Sequence, residues 1–290
     1  MTSSVSPPYK CNIYKGLPVP NFITAERYEE LDTLHKTRDD DVFIATYQKS
    51  GTTWLQHILN ELYDHPQGEK DNINEAVPWI QEASQKKIDA MLSPRVFKTH
   101  DIDRWDWILK GDKIKYIYCY RNPKDVCCSF YNHMKRVFVG HYEYTGTFSE
   151  YFADVFIKRN AAEQGWYFDH LAGWFKQKGN PNILFLTYED MVEDLRREVL
   201  KIVEFLGLQC SDEKIDNVVS SGMFDSMSKN PTVNYSWRDG IAKDPNSKFI
   251  RKGKVGTWQD ELTKEQSEQI DQLTKDLLEI PFGIRIRDTL

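Results

Sequence analysis

Residues 42–62 read VFIATYQKSGTTWLQHILNEL. The first six, Val42–Tyr47, are β-branched, aromatic or small, and none is charged. That is the pattern of a strand buried on both faces. A short turn containing Gly51 follows, and then Trp54, Leu55, Ile58, Leu59 and Leu62 recur at helical spacing. Three further uncharged or weakly charged runs repeat the theme, predicting strands at Val96–Thr99, Ile114–Tyr120 and Ile183–Thr187. After the third strand, Asn122-Pro123 reads as an N-cap with Pro at the first helical position. From Met191 to Leu206 a stripe of Leu195, Val199, Ile202 and Leu206 predicts one helix. Strands alternating with helices imply right-handed crossovers and a single-domain α/β fold, with a central, mostly parallel sheet flanked by helices. In such sheets ligands bind beyond the C-terminal ends of the strands, so the chemistry is sought there.

Composition narrows the class. The chain has 290 residues, with 38 Lys plus Arg against 44 Asp plus Glu, giving a net charge of −6. With no linker, repeat or low-complexity tract, residues 1–290 read as one domain whose first ten or so residues are expected to be flexible. Mean hydropathy is −0.61, and no apolar run approaches the ~18 residues of a membrane span. The acidic balance argues against a nucleic-acid or membrane-surface binder but leaves room for a local basic pocket. Five cysteines form no metal or redox pair, since Cys127 and Cys128 are adjacent. The start, MTSSVSPPYK, lacks the apolar stretch of a secretory leader. The cytoplasm is therefore the expected compartment, and no metal site is expected.

Each strand end carries polar residues suited to an anion. After the first, Lys49, Ser50, Gly51, Thr52 and Thr53 combine a cation, hydroxyls and a turn ahead of a helix N-terminus, where backbone N–H groups converge. This suits a phosphate or sulfate; it also fits an ordinary strand-to-helix turn capped by Thr. The spacing is not that of the nucleoside-triphosphate loop, because no Gly precedes Lys49 at the required distance. After the second strand, Lys98 and His100 are two apart and share a face in extended chain. A cation beside a His suits acid–base chemistry on an anionic donor. Arg121 stands at the third strand exit, its fork of donors fitted to phosphate, with Ser129 two helical turns on. Tyr188 leaves the fourth strand, where it can pack a base face or simply pack the core. Near the C-terminus, Arg251, Lys252 and Gly253 join charge to exposed backbone, although most such clusters are solvated faces.

Taken together, these segments resemble the cytosolic sulfotransferases, enzymes that transfer a sulfuryl group from 3′-phosphoadenylyl sulfate (PAPS). Lys49–Trp54 resembles their 5′-phosphosulfate loop, and Lys98-Thr99-His100 their K-T-H segment. Arg121-Asn122-Pro123-Lys124-Asp125-Val126 through Ser129 is similar to their 3′-phosphate segment, Tyr188-Glu189-Asp190-Met191 to their Y-E-D-M, and Arg251-Lys252-Gly253 to their late phosphate loop. The resemblance spans roughly residues 40 to 260 and implies a P-loop-like sulfotransferase fold. It implies that Lys49, Ser50, Gly51, Thr52 and Thr53 hold the 5′-phosphosulfate, and that Arg121, Ser129, Arg251, Lys252 and Gly253 hold the 3′-phosphate. Trp54, Tyr188 and Phe224 would hold the adenine. It further implies that His100 is the general base, with Lys49 and Lys98 stabilising the transition state. The acceptor would be a small hydrophobic phenol, steroid, alcohol or amine, bounded by Phe22, Trp79, Lys98, His100 and Phe138, with a lid over Asn234–Lys248. The chain departs from the family at Gln48 (usually Pro), Gly222 (commonly Thr) and Thr257 (usually Asp). The family's C-terminal dimer motif is degraded at Gln259 and Lys264, which leaves a homodimer open. A phosphate-transferring kinase, a non-catalytic binder of the same fold and a single-strand nucleic-acid binder are the competing classes. The first lacks its loop spacing, the second has no need of His100, and the third fits poorly with the net charge.

Overall fold

The computed structural model describes residues 9–65, 67, 70–101, 113–136, 144–159, 165–241 and 248–290. Phe138 and residues 242–247 of the expected lid lie outside the described residues. Two strands open the chain, β1 (Cys11–Tyr14) and β2 (Leu17–Pro20), paired antiparallel. Their two-residue turn has positive φ at both Lys15 (47°) and Gly16 (79°), which matches the right-handed twist of a hairpin. The periodicity argument did not anticipate this hairpin. Tyr9, just before it, is already packed in the core.

The central sheet has four parallel strands, β3 (Val42–Thr46), β4 (Val96–Thr99), β5 (Lys115–Tyr120) and β6 (Ile183–Thr187), in the order β4-β3-β5-β6. The first and third predicted strands each run one residue beyond the observed bounds. Side chains alternate between two apolar layers, as a strand's period of two requires. Phe43, Ala45, Phe97, Tyr116 and Tyr118 enter one core. Val42, Ile44, Val96, Ile117, Cys119 and Leu186 enter the other, beneath Leu55, Ile58, Leu59 and Leu62 of the helix Thr52–Leu62. The helix predicted over Met191–Leu206 is two, Tyr188–Glu193 and Leu195–Leu206. Asp194 breaks the run because its side chain accepts from Arg197 N (3.0 Å) and starts the second helix afresh. Beyond β4 the sheet is extended by a single bridge, with Lys98 N donating to Pro78 O (2.9 Å) and Ile80 N to Lys98 O (3.1 Å).

The chain grows from β3 to β4 on one side and to β5 and β6 on the other, so a switch point lies between β3 and β5. Register is clamped at the opposite edge. Arg95 forks onto Asp41, Nε to Oδ1 at 2.7 Å and Nη2 to Oδ2 at 2.6 Å, with both residues buried. These residues immediately precede β4 and β3, and Val42 N donates to Arg95 O at 2.9 Å. The pair therefore sets how far each strand end projects. Removing one partner of such a buried pair costs ~3–5 kcal/mol. Asp41→Ala is expected to lower unfolding free energy by about that amount in chemical denaturation, and a change within error would show that the clamp is dispensable.

Candidate active site

The first strand end forms a tight cradle. Lys49 has φ 69° and Gly51 φ 102°, and Gly51 caps the helix Thr52–Leu62. At Gly51 a Cβ would stand 3.3 Å from Tyr188 Cδ2, in a backbone region that L side chains avoid, so glycine is required on both counts. Thr52 Oγ1 bonds Thr46 Oγ1 at 2.7 Å, tying the helix start to the last residue of β3. Lys49, Gly51, Thr52, Thr53 and Trp54 line the cleft. Ser50 does not: it is fully buried and its N–H donates to Tyr47 O at 3.3 Å.

At the end of β4, Lys98 and His100 share a face and both line the same cleft. His100 Nδ1 lies 2.9 Å from the Thr46 carbonyl. A carbonyl only accepts, so Nδ1 carries the proton and Nε2 keeps its lone pair. Burial, then the Lys98 charge, push the imidazole down to about 3, with Lys49 adding to the effect and the Thr46 bond opposing it. A second histidine steadies this residue from behind: His170 Nε2 donates to His100 O (3.1 Å), and Tyr118 Oη bonds His170 Nδ1 (3.0 Å). Trp79 meets the His100 ring edge-on at 5.2 Å and lies 5.8 Å from Lys98 Nζ.

At the end of β5, Arg121 donates to the carbonyls of Lys49 (3.3 Å) and Lys254 (2.9 Å) and stacks over Tyr188 at 4.1 Å. Asp125, one turn on and buried, lies 3.4 Å from Arg121. It accepts from Gly256 N (2.9 Å), Trp258 N (3.1 Å) and Thr257 Oγ1 (3.2 Å). Asp125 thereby pins the C-terminal loop beside the helix Pro123–Arg136, and brings Arg251, Lys252 and Gly253 to the cleft with Ser129. Thr257 keeps a polar contact here. Gly253 has φ 59°, and a Cβ on it would stand 2.2 Å from Phe224 Cδ2, so the ring needs a glycine beneath it. Gly222 likewise faces Trp54, where a Cβ would be 3.4 Å from Nε1.

The other end of the cleft is bounded by Phe22 and Trp79, edge to face at 5.7 Å. The sequence-predicted residues thus come together, save Ser50 and the undescribed Phe138. Residues that sequence reasoning did not single out join them, among them Asn74, Glu82 and His133, and Tyr235 and Arg238 come from the segment expected as a lid, with Phe249 just beyond it. Tyr235 and Phe249, stacked at 3.9 Å, lie inside and just beyond the expected lid. Lys49 Nζ sits over Phe249 at 4.5 Å.

Lys49, Lys98, Arg121 and Arg251 crowd this cleft. Loss of water, then the charges of Arg121, Arg251 and Lys98, lower Lys49 to about 7. Two buried donors, Arg121 Nε and Trp54 Nε1, have no partner among the described residues. A cationic cleft with unspent donors fits a multiply charged phosphate ester such as PAPS or its product, adenosine 3′,5′-bisphosphate (PAP).

Two expectations follow. A bound polyanion raises the pKa of Lys49, so binding takes up protons and weakens as pH rises above about 7. Calorimetry with PAP near pH 8, where phosphate is fully ionised (second pKa ~6), should show uptake in buffers of differing ionisation enthalpy. Lys49→Met should abolish it; no uptake by the unaltered chain would contradict the assignment. Asp125→Ala releases the loop and should weaken PAP binding roughly ten- to hundredfold, as titration would show.

The comparisons agree with one another. A sequence model described as "Sulfotransferase domain" matches residues 39–280. An amine sulfotransferase of Oryctolagus cuniculus is 40% identical over 253 residues, covering 84% of this chain and 82% of that protein. Sulfotransferase 1E1 of Homo sapiens is 36% identical over 253 residues, covering 82% of this chain and 83% of that one. Mouse sulfotransferase SULT7A1, solved in complex with PAP, superposes with a TM-score of 0.76 at 26% identity, covering 93% of this chain and 95% of that chain. With this site at the C-terminal edge of this sheet, the chain belongs to the sulfotransferase family, whose sulfuryl donor is PAPS.

Proposed function

We propose that this chain moves a sulfuryl group from PAPS to a hydroxyl or amine of a small hydrophobic acceptor, with His100 as the general base. The observation that carries the reading is the fixed tautomer of His100, whose Nδ1–H is held by the Thr46 carbonyl at 2.9 Å. Nε2 is thereby left as a base. The low pKa keeps His100 neutral throughout the physiological range. The donor supplies an activated sulfuryl group, whose bond to the bridging phosphate oxygen breaks as the acceptor's oxygen or nitrogen bonds to sulfur. His100 Nε2 takes the acceptor's proton as that bond forms. Lys49 and the backbone N–H groups of its turn stabilise negative charge growing on the leaving oxygen. Lys98 faces the transferring oxygens. Arg121, Ser129, Arg251, Lys252 and Gly253 hold the 3′-phosphate, and Trp54, Tyr188 and Phe224 hold the adenine, converting binding energy into orientation.

Phe22 and Trp79 favour an aromatic or alicyclic acceptor: a phenol, steroid, alcohol or amine. The 40% identity to a protein named amine sulfotransferase supports keeping amines in that range. We read residues 1–290 as one domain. Cys11, Cys119, Cys127, Cys128 and Cys210 are free thiols, in keeping with a cytoplasmic setting. No helix among the described residues is long and apolar enough to cross a membrane. Where the family's dimer motif is degraded, Thr263 caps the helix Lys264–Thr274, and a solution mass distinguishes monomer from dimer.

A panel of phenols, steroids, alcohols and amines with PAPS tests the reading, with ATP as the control donor. His100→Ala should lower kcat roughly 10²–10⁴-fold while PAP binding and Tm hold. The neutral base is lost only as pH falls through its lowered pKa. kcat/KM should therefore show no acid limb from His100 near its ordinary value of about 6.5; turnover close to normal in the variant would sink the assignment.

A further inference from the structure

We propose that Asn74 is a positioning residue for sulfuryl transfer, acting through the ammonium of Lys98. The inference rests on the function proposed above. Asn74 Oδ1 lies 2.9 Å from Lys98 Nζ, 3.1 Å from Tyr235 Oη and 3.4 Å from Gln56 Nε2. Lys98 Nζ is also 3.4 Å from Tyr235 Oη. A lysine ammonium can only donate, so the carboxamide must present oxygen to it; the flipped amide would set donor against donor. Gln56 fixes its own end by donating to Val77 O at 2.7 Å.

The chemistry of this anchor is specific. Lys98 is 6% exposed, and among the described residues no carboxylate pairs with it. An acid in the place of Asn74 would hold the ammonium equally well but would cancel much of its field at the atoms where charge develops. A neutral carbonyl dipole fixes the position and leaves the charge unspent. The same oxygen reaches across the cleft. Tyr235 stacks on Phe249 at 3.9 Å, and Phe249 lies beneath Lys49 Nζ at 4.5 Å. The helix Ile73–Ala76 that carries Asn74 is joined to this same strip of chain, since Ile73 N donates to Thr232 O at 2.9 Å. Asn74 therefore links the acceptor-side cation to the aromatic pair under the donor-side cation.

A double-variant cycle on the full chain tests this, using PAPS and the best acceptor from the panel. Asn74→Ala should lower kcat roughly tenfold, the scale of one hydrogen bond to a charged group, with PAP affinity within about twofold and Tm little changed. In a Lys98→Met background the same substitution should cost nothing further, because the residue acts only through that ammonium. Asn74→Asp, isosteric and a substitute should the alanine variant fail to fold, should also lower kcat. Losses that simply add in the double variant would overturn the inference while leaving the proposed function intact, as would full activity in both single variants. No transfer by the unaltered chain with any acceptor would overturn both.

Discussion

Repulsion among Lys49, Lys98, Arg121 and Arg251 is the constraint around which the rest of this structure is arranged. The charges of Arg121, Arg251 and Lys98 all press on the buried Lys49 ammonium and help lower its pKa. Helix, sheet and loop oppose this while leaving Lys49 and Lys98 without a carboxylate partner among the described residues. The described contacts show how. Arg121 is held mainly by carbonyl oxygens and an aromatic face, with Asp125 close by at 3.4 Å. Lys98 is held by an amide oxygen, and Lys49 by the Phe249 ring. Carboxylates pair with Arg121 (Asp125, 3.4 Å), Arg251 (Glu261, 3.3 Å) and Lys252 (Asp260, 3.1 Å), whereas Lys49 and Lys98 pair with none among the described residues. The net charge of −6 is thus a property of the outer surface, and the cleft keeps the opposite sign.

That arrangement depends on level strand ends. Parallel pairing sets Ala45 beside Thr99 and Thr46 beside Cys119, so β3, β4 and β5 finish together. The Asp41–Arg95 fork clamps the entries of β3 and β4 at the far edge. A one-residue slip would exchange the two faces of a strand. It would turn Lys98 and His100 into the core and Thr99 out of it.

The four sheet strands were legible because each is a short run with at most one charge, and Lys49, His100, Arg121 and Tyr188 stood out because each closely follows such a run. The hairpin of β1 and β2 was not, since Lys15-Gly16 is a weak turn signal between proline-containing segments. The break at Asp194 was hidden by an apolar stripe that continues in phase across it. Ser50 turns its side chain inward, which a short motif does not announce. Asn74, Asp125 and Tyr235 escaped because their roles are long-range contacts. Asn74 meets Lys98 across 24 residues and Tyr235 across 161, and Asp125 meets Gly256 across 131. None of these pairings leaves a periodic trace.

The two halves of the site are fastened by different means. Thr46 joins the start of the helix Thr52–Leu62 to His100: its hydroxyl bonds Thr52 at 2.7 Å and its carbonyl holds His100 at 2.9 Å. His100, the proposed base, is thereby fixed relative to the turn proposed to cradle the 5′-phosphosulfate. Lys98 leaves the adjacent strand only two residues earlier, yet its anchor is not the sheet but the Asn74–Tyr235 pair at the edge of the acceptor end. Movement of the segment carrying Tyr235 would shift the Lys98 ammonium without disturbing His100. On the proposed mechanism, proton removal is thus built into the sheet edge, whereas stabilisation of the transferring oxygens is tied to the segment carrying Tyr235.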